Sequence, residues 1–137
     1  MKFSFDQKVL FKHCDPAGIV FYPRYFEMIN DCVEAFFDKI GMPFETLHKD
    51  AALPTAQIST TFHAPSRHGD ALVLSLRISH IGTSSLGLKI NAFSTTQHRF
   101  DANSTLVYVN QKGRPQPWSD QARIALKPYF SEETNEQ

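Results

Sequence analysis

The sequence of 137 residues lacks most of the features that mark secreted, membrane-bound or metal-binding proteins. Its two cysteines, Cys14 and Cys32, are too few for a disulfide framework and do not have the spacing of a metal site. No apolar run approaches the roughly 18 residues of a membrane span, and charge follows the first five residues at once, unlike a signal peptide. We therefore expect a cytoplasmic protein with no membrane partner.

The chain also lacks an excess of charge of either sign. Lys and Arg together number 14, Asp and Glu together number 14, and these residues are scattered along the sequence. Nucleic-acid-binding domains carry a basic patch, so we expect no nucleic-acid partner. The histidines show no metal-ligand spacing and no cofactor motif is present, so we predict no metal and no cofactor.

The length and the hydrophobic pattern predict a single domain over residues 1–137, because a chain of this size can bury one core. Apolar residues alternate at the start, recur at helical spacing from residue 23, and alternate again in the second half. We predict a strand at 3–13, helices at 23–40, 44–49 and 119–127, and strands at 55–63, 71–81, 85–95 and 100–110. This order favours the α+β class, with a polar tail from about residue 131 that we expect to fray.

The most informative segment surrounds Asp15. Pro16 disfavours the α region for Asp15, so the first strand should stay extended up to this carboxylate, with His13 and Asp15 on its apolar face. Tyr22-Pro23 then reads as a helix start, since proline is tolerated in the first turn. The sequence thus predicts a carboxylate beside unpaired helix N–H groups, an arrangement that suits a reaction centre or a helix cap.

The run from Asp15 to Pro23, Asp-Pro-Ala-Gly-Ile-Val-Phe-Tyr-Pro, followed by a long amphipathic helix, resembles the signature of the 4-hydroxybenzoyl-CoA thioesterase family. Residues 64–70, Ala-Pro-Ser-Arg-His-Gly-Asp, and residues 82–85, Gly-Thr-Ser-Ser, are similar to two further segments of that family. The resemblance covers about residues 5–128. It implies a hot-dog fold, in which a five-stranded antiparallel sheet wraps one long helix, and hydrolysis of an acyl-CoA to a free acid and CoA.

Thioester hydrolysis needs few catalytic groups, because a thiol leaves as thiolate without a strong general acid. Asp15 would act either as the nucleophile that forms an acyl-enzyme anhydride or as the base that activates water. The backbone amide of Tyr22 would donate to the developing oxyanion. His13 could assist proton transfer, or it could be a partly buried neighbour with no chemical role.

The candidate contacts of the acyl group come from the helix start, the long helix and the strand at 55–63. Phe21, Phe26 and Phe62 are candidate walls of an acyl pocket, although phenylalanine in a core needs no ligand to explain it. Asn30 interrupts the apolar stripe of the helix, so it could contact a polar group of the substrate or bond internally to Thr60 or another strand residue. An aromatic, 4-hydroxybenzoyl-like acyl group and a short acyl chain both remain open.

The resemblance implies that the phosphates of CoA lie near the turns at 64–70 and 82–85. The candidate contacts are Arg67, His68, Thr83, Ser84 and Ser85. The second turn lacks the dense cluster of Arg and Lys that some relatives carry, which leaves acyl carrier protein open as an alternative acyl donor.

Part of the predicted sheet is apolar on both faces. Leu72, Leu74, Leu76 and Ile78 form one apolar row, while Val73 lies on the opposite face. We therefore expect an oligomer, and the resemblance implies a homodimer or homotetramer with active sites at the subunit interface. The alternatives to an acyl-CoA thioesterase are another hot-dog acyl-CoA enzyme, such as a hydratase, and a non-catalytic acyl-binding or scaffold module.

Overall fold

The computed structural model describes residues 1–131 of the chain. Its helices are α1 (Pro23–Lys39), α2 (Phe44–Leu47) and α3 (Asp120–Leu126), with short 3-10 turns at Phe11–His13 and Lys127–Tyr129. Its strands are β1 (Phe3–Lys8), β2 (Ala51–Ala52), β3 (Thr55–Phe62), β4 (Ala71–Ile81), β5 (Ser85–Ser94), β6 (Gln97–Val107) and β7 (Val109–Asn110). Within these residues, no helix is both long enough and apolar enough to cross a membrane.

Five strands form one antiparallel sheet in the order β1-β4-β5-β6-β3, and β2 and β7 pair separately. The edges of the large sheet are therefore β1 and β3. The register pairs Phe5 with Leu74, Leu76 with Ile90, and Ile90 with Ala102, which aligns the apolar residues of four strands on one face. The predicted α+β arrangement of one sheet around one long helix is confirmed.

Helix α1 covers the inner face of this sheet. Pro23 occupies its first turn, and its buried residues recur at helical spacing. Gly41 adopts φ of 84° just beyond the helix end, a conformation that glycine reaches without strain. The stripe Met28, Ile29, Cys32, Val33, Phe36 and Phe37 is buried, and it belongs to one core with Leu72, Leu74, Leu76 and Ile78 of β4.

The predicted first strand is too long. Strand β1 ends at Lys8, and Phe11–His13 form a 3-10 turn in which the backbone N–H of Leu10 donates to Nδ1 of His13 at 2.8 Å. The last backbone bonds to the neighbouring segment are those of Val9 with Gly69 and Asp70, both at 2.8 Å, so the chain leaves the sheet before Asp15. The prediction that His13 and Asp15 share one strand face is therefore wrong.

Smaller boundary differences occur elsewhere. The predicted strand at 100–110 begins three residues earlier, at Gln97, because the turn before it is tight and places Thr95 at φ of 56°. It also divides into β6 and β7. The predicted last helix is α3, which Ser119 caps by accepting from the N–H of Ala122 at 3.0 Å. Most of the polar tail, residues 132–137, lies outside the described residues.

Candidate active site

Asp15 lies at the tip of a small hairpin that leads into α1. Its carboxylate Oδ1 accepts from the N–H of Ala17 at 2.9 Å, and its backbone carbonyl accepts from Gly18 at 2.9 Å. Gly18 takes φ of 84°, which closes the turn at little steric cost. The side chain is half-buried, and Oδ2 makes no hydrogen bond within residues 1–131. One carboxylate oxygen is therefore anchored while the other is available for chemistry.

The hairpin is joined to the loop at 64–70. The N–H of Val20 donates to the carbonyl of Ser66 at 2.9 Å, and Ile19 forms an antiparallel bridge with Arg67. The N–H of Phe21 donates to the carbonyl of His13 at 2.9 Å, which fixes the other side of the hairpin. The position of Asp15 therefore depends on a loop about fifty residues away in the sequence.

Tyr22 directly follows this hairpin and begins α1. The N–H groups of Arg24 and Tyr25 donate to Phe21 and Tyr22 at 2.8 and 3.1 Å, and Pro23 has no N–H. In the part of the chain that the structure describes, the N–H of Tyr22 has no hydrogen-bond partner. It is thus the free donor at the helix start, where an anion is favoured.

His13 is buried below the hairpin. Its Nδ1 accepts from Leu10, so the neutral ring carries its proton on Nε2. Burial, followed by the positive charge of Lys12, lowers the pKa of His13 below its ordinary value, which keeps the ring neutral at neutral pH. With Nδ1 engaged, only Nε2 remains for a role in proton transfer, and that role stays a prediction.

An open cavity of about 500 Å³ lies between α1 and the edge strand β3. Its lining is mostly apolar and comprises Phe26, Ile29, Asn30, Val33, Phe44, His48, Leu53, Thr55, Ile58, Ser104 and Leu106. Asn30, His48, Thr55 and Ser104 place polar groups among the apolar ones, as in pockets that bind small organic molecules. Sequence reasoning identified Phe26 and Asn30 but missed His48 and Ser104, which carry no motif.

The aromatic residues predicted as pocket walls occupy different places. Phe26 lines the cavity, whereas Phe62 packs against the helix start, with its ring centroid 6.4 Å from Tyr22 and 5.4 Å from Tyr25. Phe21 is half exposed and touches Tyr22, with 5.7 Å between the ring centroids. These rings form an aromatic patch between the hairpin and the cavity.

The predicted bond between Asn30 and Thr60 is absent from the described residues. Asn30 is exposed at the cavity rather than buried in the stripe, because α1 leaves this face open beside the edge strand. The Thr60 hydroxyl is buried and has no hydrogen-bond partner within residues 1–131. It lies between Ile58 and Phe62 on the face of β3 that turns towards α1.

We predict that Thr60→Val raises the free energy of unfolding by about 1 kcal/mol, because valine removes an unpaired buried hydroxyl at nearly constant volume. If the hydroxyl contacts substrate, the same change raises KM. Denaturant unfolding and steady-state kinetics check both effects, with Thr61→Val on the opposite, exposed face of β3 as the matched control. A loss of stability in Thr60→Val would show that the hydroxyl is paired in solution.

The predicted CoA contacts divide between the two ends of β4. Arg67 and His68 lie beside the hairpin of Asp15, whereas Thr83, Ser84 and Ser85 follow the far end of this strand, about 33 Å away along its length. One chain therefore brings only the first pair to Asp15.

The turn at 82–85 packs against α3 and the residues just before this helix. Sequence reasoning predicted the helix but missed this contact. Arg123 donates to the carbonyl of Gly82 at 2.7 Å, and Trp118 donates through Nε1 to the carbonyl of Ser85 at 3.1 Å. The backbone N–H of Trp118 also donates to the carbonyl of Thr83 at 3.0 Å. A cation thus lies beside this turn although none occurs within it.

A buried arginine holds the loop at 64–70. Arg99 donates to Oδ2 of Asp70 at 2.7 Å, to the Ser66 hydroxyl at 2.9 Å and to the Pro65 carbonyl at 3.2 Å. The N–H of Arg67, followed by the Arg99 guanidinium, holds the pKa of Asp70 below its ordinary value. Arg99 lies between the predicted strands at 85–95 and 100–110, and sequence reasoning assigned it no role.

Comparison with known proteins identifies one family and a common fold. The profile of the thioesterase-like superfamily matches residues 9–129. A 1,4-dihydroxy-2-naphthoyl-CoA hydrolase from Synechocystis is 27% identical over 78 residues, 56% of this chain and 56% of the relative. The match therefore spans little more than half the length of that curated relative.

Two solved structures have the same architecture. A 1,4-dihydroxy-2-naphthoyl-CoA thioesterase from Synechocystis matches with a TM-score of 0.86 at 20% identity, over 93% of this chain and 96% of the other. An asparagine-for-aspartate mutant of 4-hydroxybenzoyl CoA thioesterase, complexed with 4-hydroxybenzoyl CoA, matches with a TM-score of 0.83 at 20% identity, over 91% and 98%. These likenesses confirm the predicted hot-dog fold.

Proposed function

Since the chain belongs to the thioesterase-like superfamily, we propose that it hydrolyses the thioester of an aromatic acyl-CoA, with Asp15 as the catalytic carboxylate. The observation that carries this proposal is the junction between hairpin and helix. There, as far as residues 1–131 show, a carboxylate with one unengaged oxygen and a backbone N–H without a partner flank the start of α1. The first group supplies an oxygen for attack, and the second stabilises the charge that attack creates.

Two routes use the same groups. In the first, an oxygen of Asp15 attacks the carbonyl carbon, the C–S bond breaks, CoA leaves as a thiolate that solvent protonates, and water hydrolyses the resulting anhydride. In the second, Asp15 takes a proton from a water molecule that attacks the same carbon, the C–S bond breaks, and CoA leaves as a thiolate; Asp15 then returns the proton to the thiolate or to solvent. In both, the carbonyl oxygen becomes an oxyanion that accepts from the N–H of Tyr22, a bond worth about 3 kcal/mol in comparable sites.

The cavity supports a planar acyl group that carries polar substituents. Its apolar walls from α1 and β3 suit an aromatic ring, and Asn30, His48 and Ser104 offer donors and acceptors for ring hydroxyls. The names of both solved relatives described above specify hydroxylated aromatic acyl-CoA substrates. We therefore place a hydroxybenzoyl-like or dihydroxynaphthoyl-like group ahead of a short aliphatic one.

A second copy of the chain would complete the site. The turn at 82–85 lies too far from Asp15 to meet the same CoA molecule within one chain, by the length of β4. Within residues 1–131, the edge strand β3 pairs only with β6, so its other edge is open to a partner strand. On its face towards α1, Ile58 and Phe62 are more than one third exposed. We propose a homodimer or homotetramer in which one chain contributes Asp15 and another chain contributes CoA contacts.

The test is thiol release from a panel of acyl-CoAs, measured with a thiol-reactive dye. The panel contains 4-hydroxybenzoyl-, 1,4-dihydroxy-2-naphthoyl-, benzoyl-, acetyl- and palmitoyl-CoA, together with a hydroxybenzoyl acyl carrier protein. We expect kcat/KM for the hydroxylated aromatic thioesters to exceed that for benzoyl-CoA by at least about tenfold, because unpaired polar groups in the pocket penalise the plain ring.

Two variants and the substrate panel together test the aromatic assignment and the identity of the acyl donor. Ser104→Ala should lower the ratio of kcat/KM for hydroxylated aromatic thioesters to kcat/KM for benzoyl-CoA. Ser59 is exposed on the opposite face of β3, so Ser59→Ala should leave this ratio unchanged. Faster release from acetyl- or palmitoyl-CoA would refute the aromatic assignment. Release from acyl carrier protein alone would replace CoA as the donor, and no release from any thioester would favour the acyl-binding alternative.

A further inference from the structure

Two histidines and an aspartate meet on the outer face of the sheet, which faces away from α1. His63 directly follows β3, while His98 and Asp101 belong to β6. Nε2 of His63 lies 3.0 Å from Oδ2 of Asp101, and Nε2 of His98 lies 2.6 Å from Oδ1 of Asp101. One ligand atom from each residue lies within 4.8 Å of the other two, so the cluster can enclose a single ion.

Neighbouring side chains hold this cluster in place. The rings of His63 and His98 stack with 4.2 Å between their centroids, and Phe93 stacks on His98 at 4.5 Å. Asn91 on β5 donates a hydrogen bond to Oδ1 of Asp101. The three ligand side chains retain 32 to 38% of their exposure, so an ion from solvent can reach them.

We propose that His63, His98 and Asp101 bind a divalent transition-metal ion of the zinc class. Imidazole nitrogens suit Zn²⁺ and Co²⁺, whereas Mg²⁺ and Ca²⁺ prefer oxygen ligands throughout. The ion would take the position of the N–H protons that now point at the carboxylate, with both rings neutral and binding through Nε2. Water would fill the remaining coordination positions, and ligand distances near 2.1 Å require only side-chain movements.

The ion would stabilise the sheet and would take no part in catalysis. Asp101 pairs with Asn91 and Thr61 in the sheet, on the face opposite the cavity, so an ion there touches no part of the proposed thioesterase site. The N–H of His63 donates to the carbonyl of Arg99 at 2.8 Å, at the start of the loop that holds the hairpin of Asp15. Metal binding would therefore fix the end of the edge strand and the origin of this loop.

This proposal departs from our expectation of no metal, which rested on sequence spacing alone. His63 and Asp101 are separated by 38 residues, and only the pairing of β3 with β6 brings them together. The hydrogen bond from Asn91 to Asp101, which would orient the ligating carboxylate, is likewise visible only in the folded sheet.

The full-length protein, treated with a chelator and dialysed, should be titrated with ZnCl₂ in a calorimeter. We expect saturable binding of one Zn²⁺ per chain and a rise in Tm of roughly 5 to 10 °C at about one hundred times Kd. Co²⁺ at the same site should show visible d–d absorption bands shifted and intensified relative to those of aqueous Co²⁺, which reports that protein ligands have replaced water. No saturable binding in the wild-type protein would overturn the proposal.

Four variants locate the site. His63→Gln and His98→Gln should each abolish saturable binding, and Asn91→Leu should weaken it by roughly 10- to 100-fold. His80 is an exposed histidine near the far end of β4. His80→Gln is therefore the matched control and should bind Zn²⁺ as the wild type does. Binding that is unchanged in His63→Gln and His98→Gln, with circular dichroism confirming their fold, would place the ion elsewhere and overturn the assignment.

Discussion

Asp15→Asn is expected to fold normally and to hydrolyse thioesters at least about 100-fold more slowly than the wild type, a loss of about 2.7 kcal/mol of transition-state stabilisation. An amide is neither a nucleophile nor a base at neutral pH, so both proposed routes stop. Binding of the acyl-CoA should survive, because the change removes a charge from the reacting centre and leaves the cavity lining intact.

The local geometry allows asparagine to replace Asp15 without disturbing the turn. The carboxylate accepts one hydrogen bond from the N–H of Ala17 at 2.9 Å, and the carbonyl oxygen of asparagine can accept the same bond. The turn through Gly18 is therefore retained, and the free energy of unfolding should change by less than about 0.5 kcal/mol. A role for Asp15 as a mere turn or cap residue predicts an active enzyme in the same experiment.

The measurements are kcat and KM for the best substrate of the panel, thermal unfolding, and direct binding of acyl-CoA. Asp38→Asn, at the exposed end of α1, is the matched control and should keep wild-type kinetics. A folded Asp15→Asn protein that retained more than about one tenth of the wild-type rate would have lost less than roughly 1.4 kcal/mol of transition-state stabilisation. Asp15 would then have no catalytic role.

The features that sequence predicted well are those that local periodicity specifies. The apolar stripe of α1, with Pro23 at its start and Gly41 beyond its end, gave the helix to within one residue. The alternation of β4 gave the bounds Ala71–Ile81 and the buried row of this strand. Each of these signals lies within the element itself, so no long-range contact was needed to find it.

The features that sequence missed depend on contacts between distant segments. The end of β1 coincides with the turn at Gly69 and Asp70 that precedes its partner strand, where the last backbone bonds, those of Val9, are made. No periodicity within β1 encodes this turn. The exposed position of Asn30 depends on where the edge strand β3 lies relative to α1. The motif thus located Asp15 and Tyr22 along the chain, whereas their surroundings depend on tertiary packing.

The loop at 64–70 illustrates this dependence most clearly. Its sequence resembles a family segment, but its position is determined by Arg99, which is 33 residues away from Ser66. The Arg99 side chain is 9% exposed and that of Asp70 is 30% exposed, so their ion pair is shielded from solvent on one side. The carbonyl of Ser66 accepts from Val20, which connects this pair to the hairpin of Asp15.

Arg99→Met is therefore expected to lower the free energy of unfolding by about 3 kcal/mol, or Tm by roughly 10 °C, because it leaves Asp70 and Ser66 without their shared donor. The rate of hydrolysis should fall as well, since the loop no longer fixes Val20. Arg24→Met is the matched control. Its ion pair with Glu27 is 43 and 51% exposed, and its loss should cost less than about 0.5 kcal/mol.

A double-mutant cycle separates the ion pair from simple packing. Arg99→Met combined with Asp70→Asn should cost less than the sum of the single changes, because the double variant leaves no unpaired charge. Strict additivity of the two free energies would contradict a direct interaction between the side chains. A loss in Arg99→Met no larger than that in Arg24→Met would contradict the role of Arg99 as the anchor of the loop.

The acid dependence of stability provides an independent check on the same pair. The pKa of Asp70 lies below its ordinary value of 3.8 in the folded protein, owing first to the Arg67 N–H and then to Arg99. The unfolded chain therefore binds this proton first as the pH falls, so the contribution of Asp70 is present above about pH 4 and is lost as the pH falls through the folded pKa. Denaturant unfolding between pH 2 and 6 should show a shallower acid loss in Asp70→Asn than in the wild type. Equal slopes would mean that Asp70 titrates alike in both states and that Arg99 holds the loop through Ser66 and Pro65 alone.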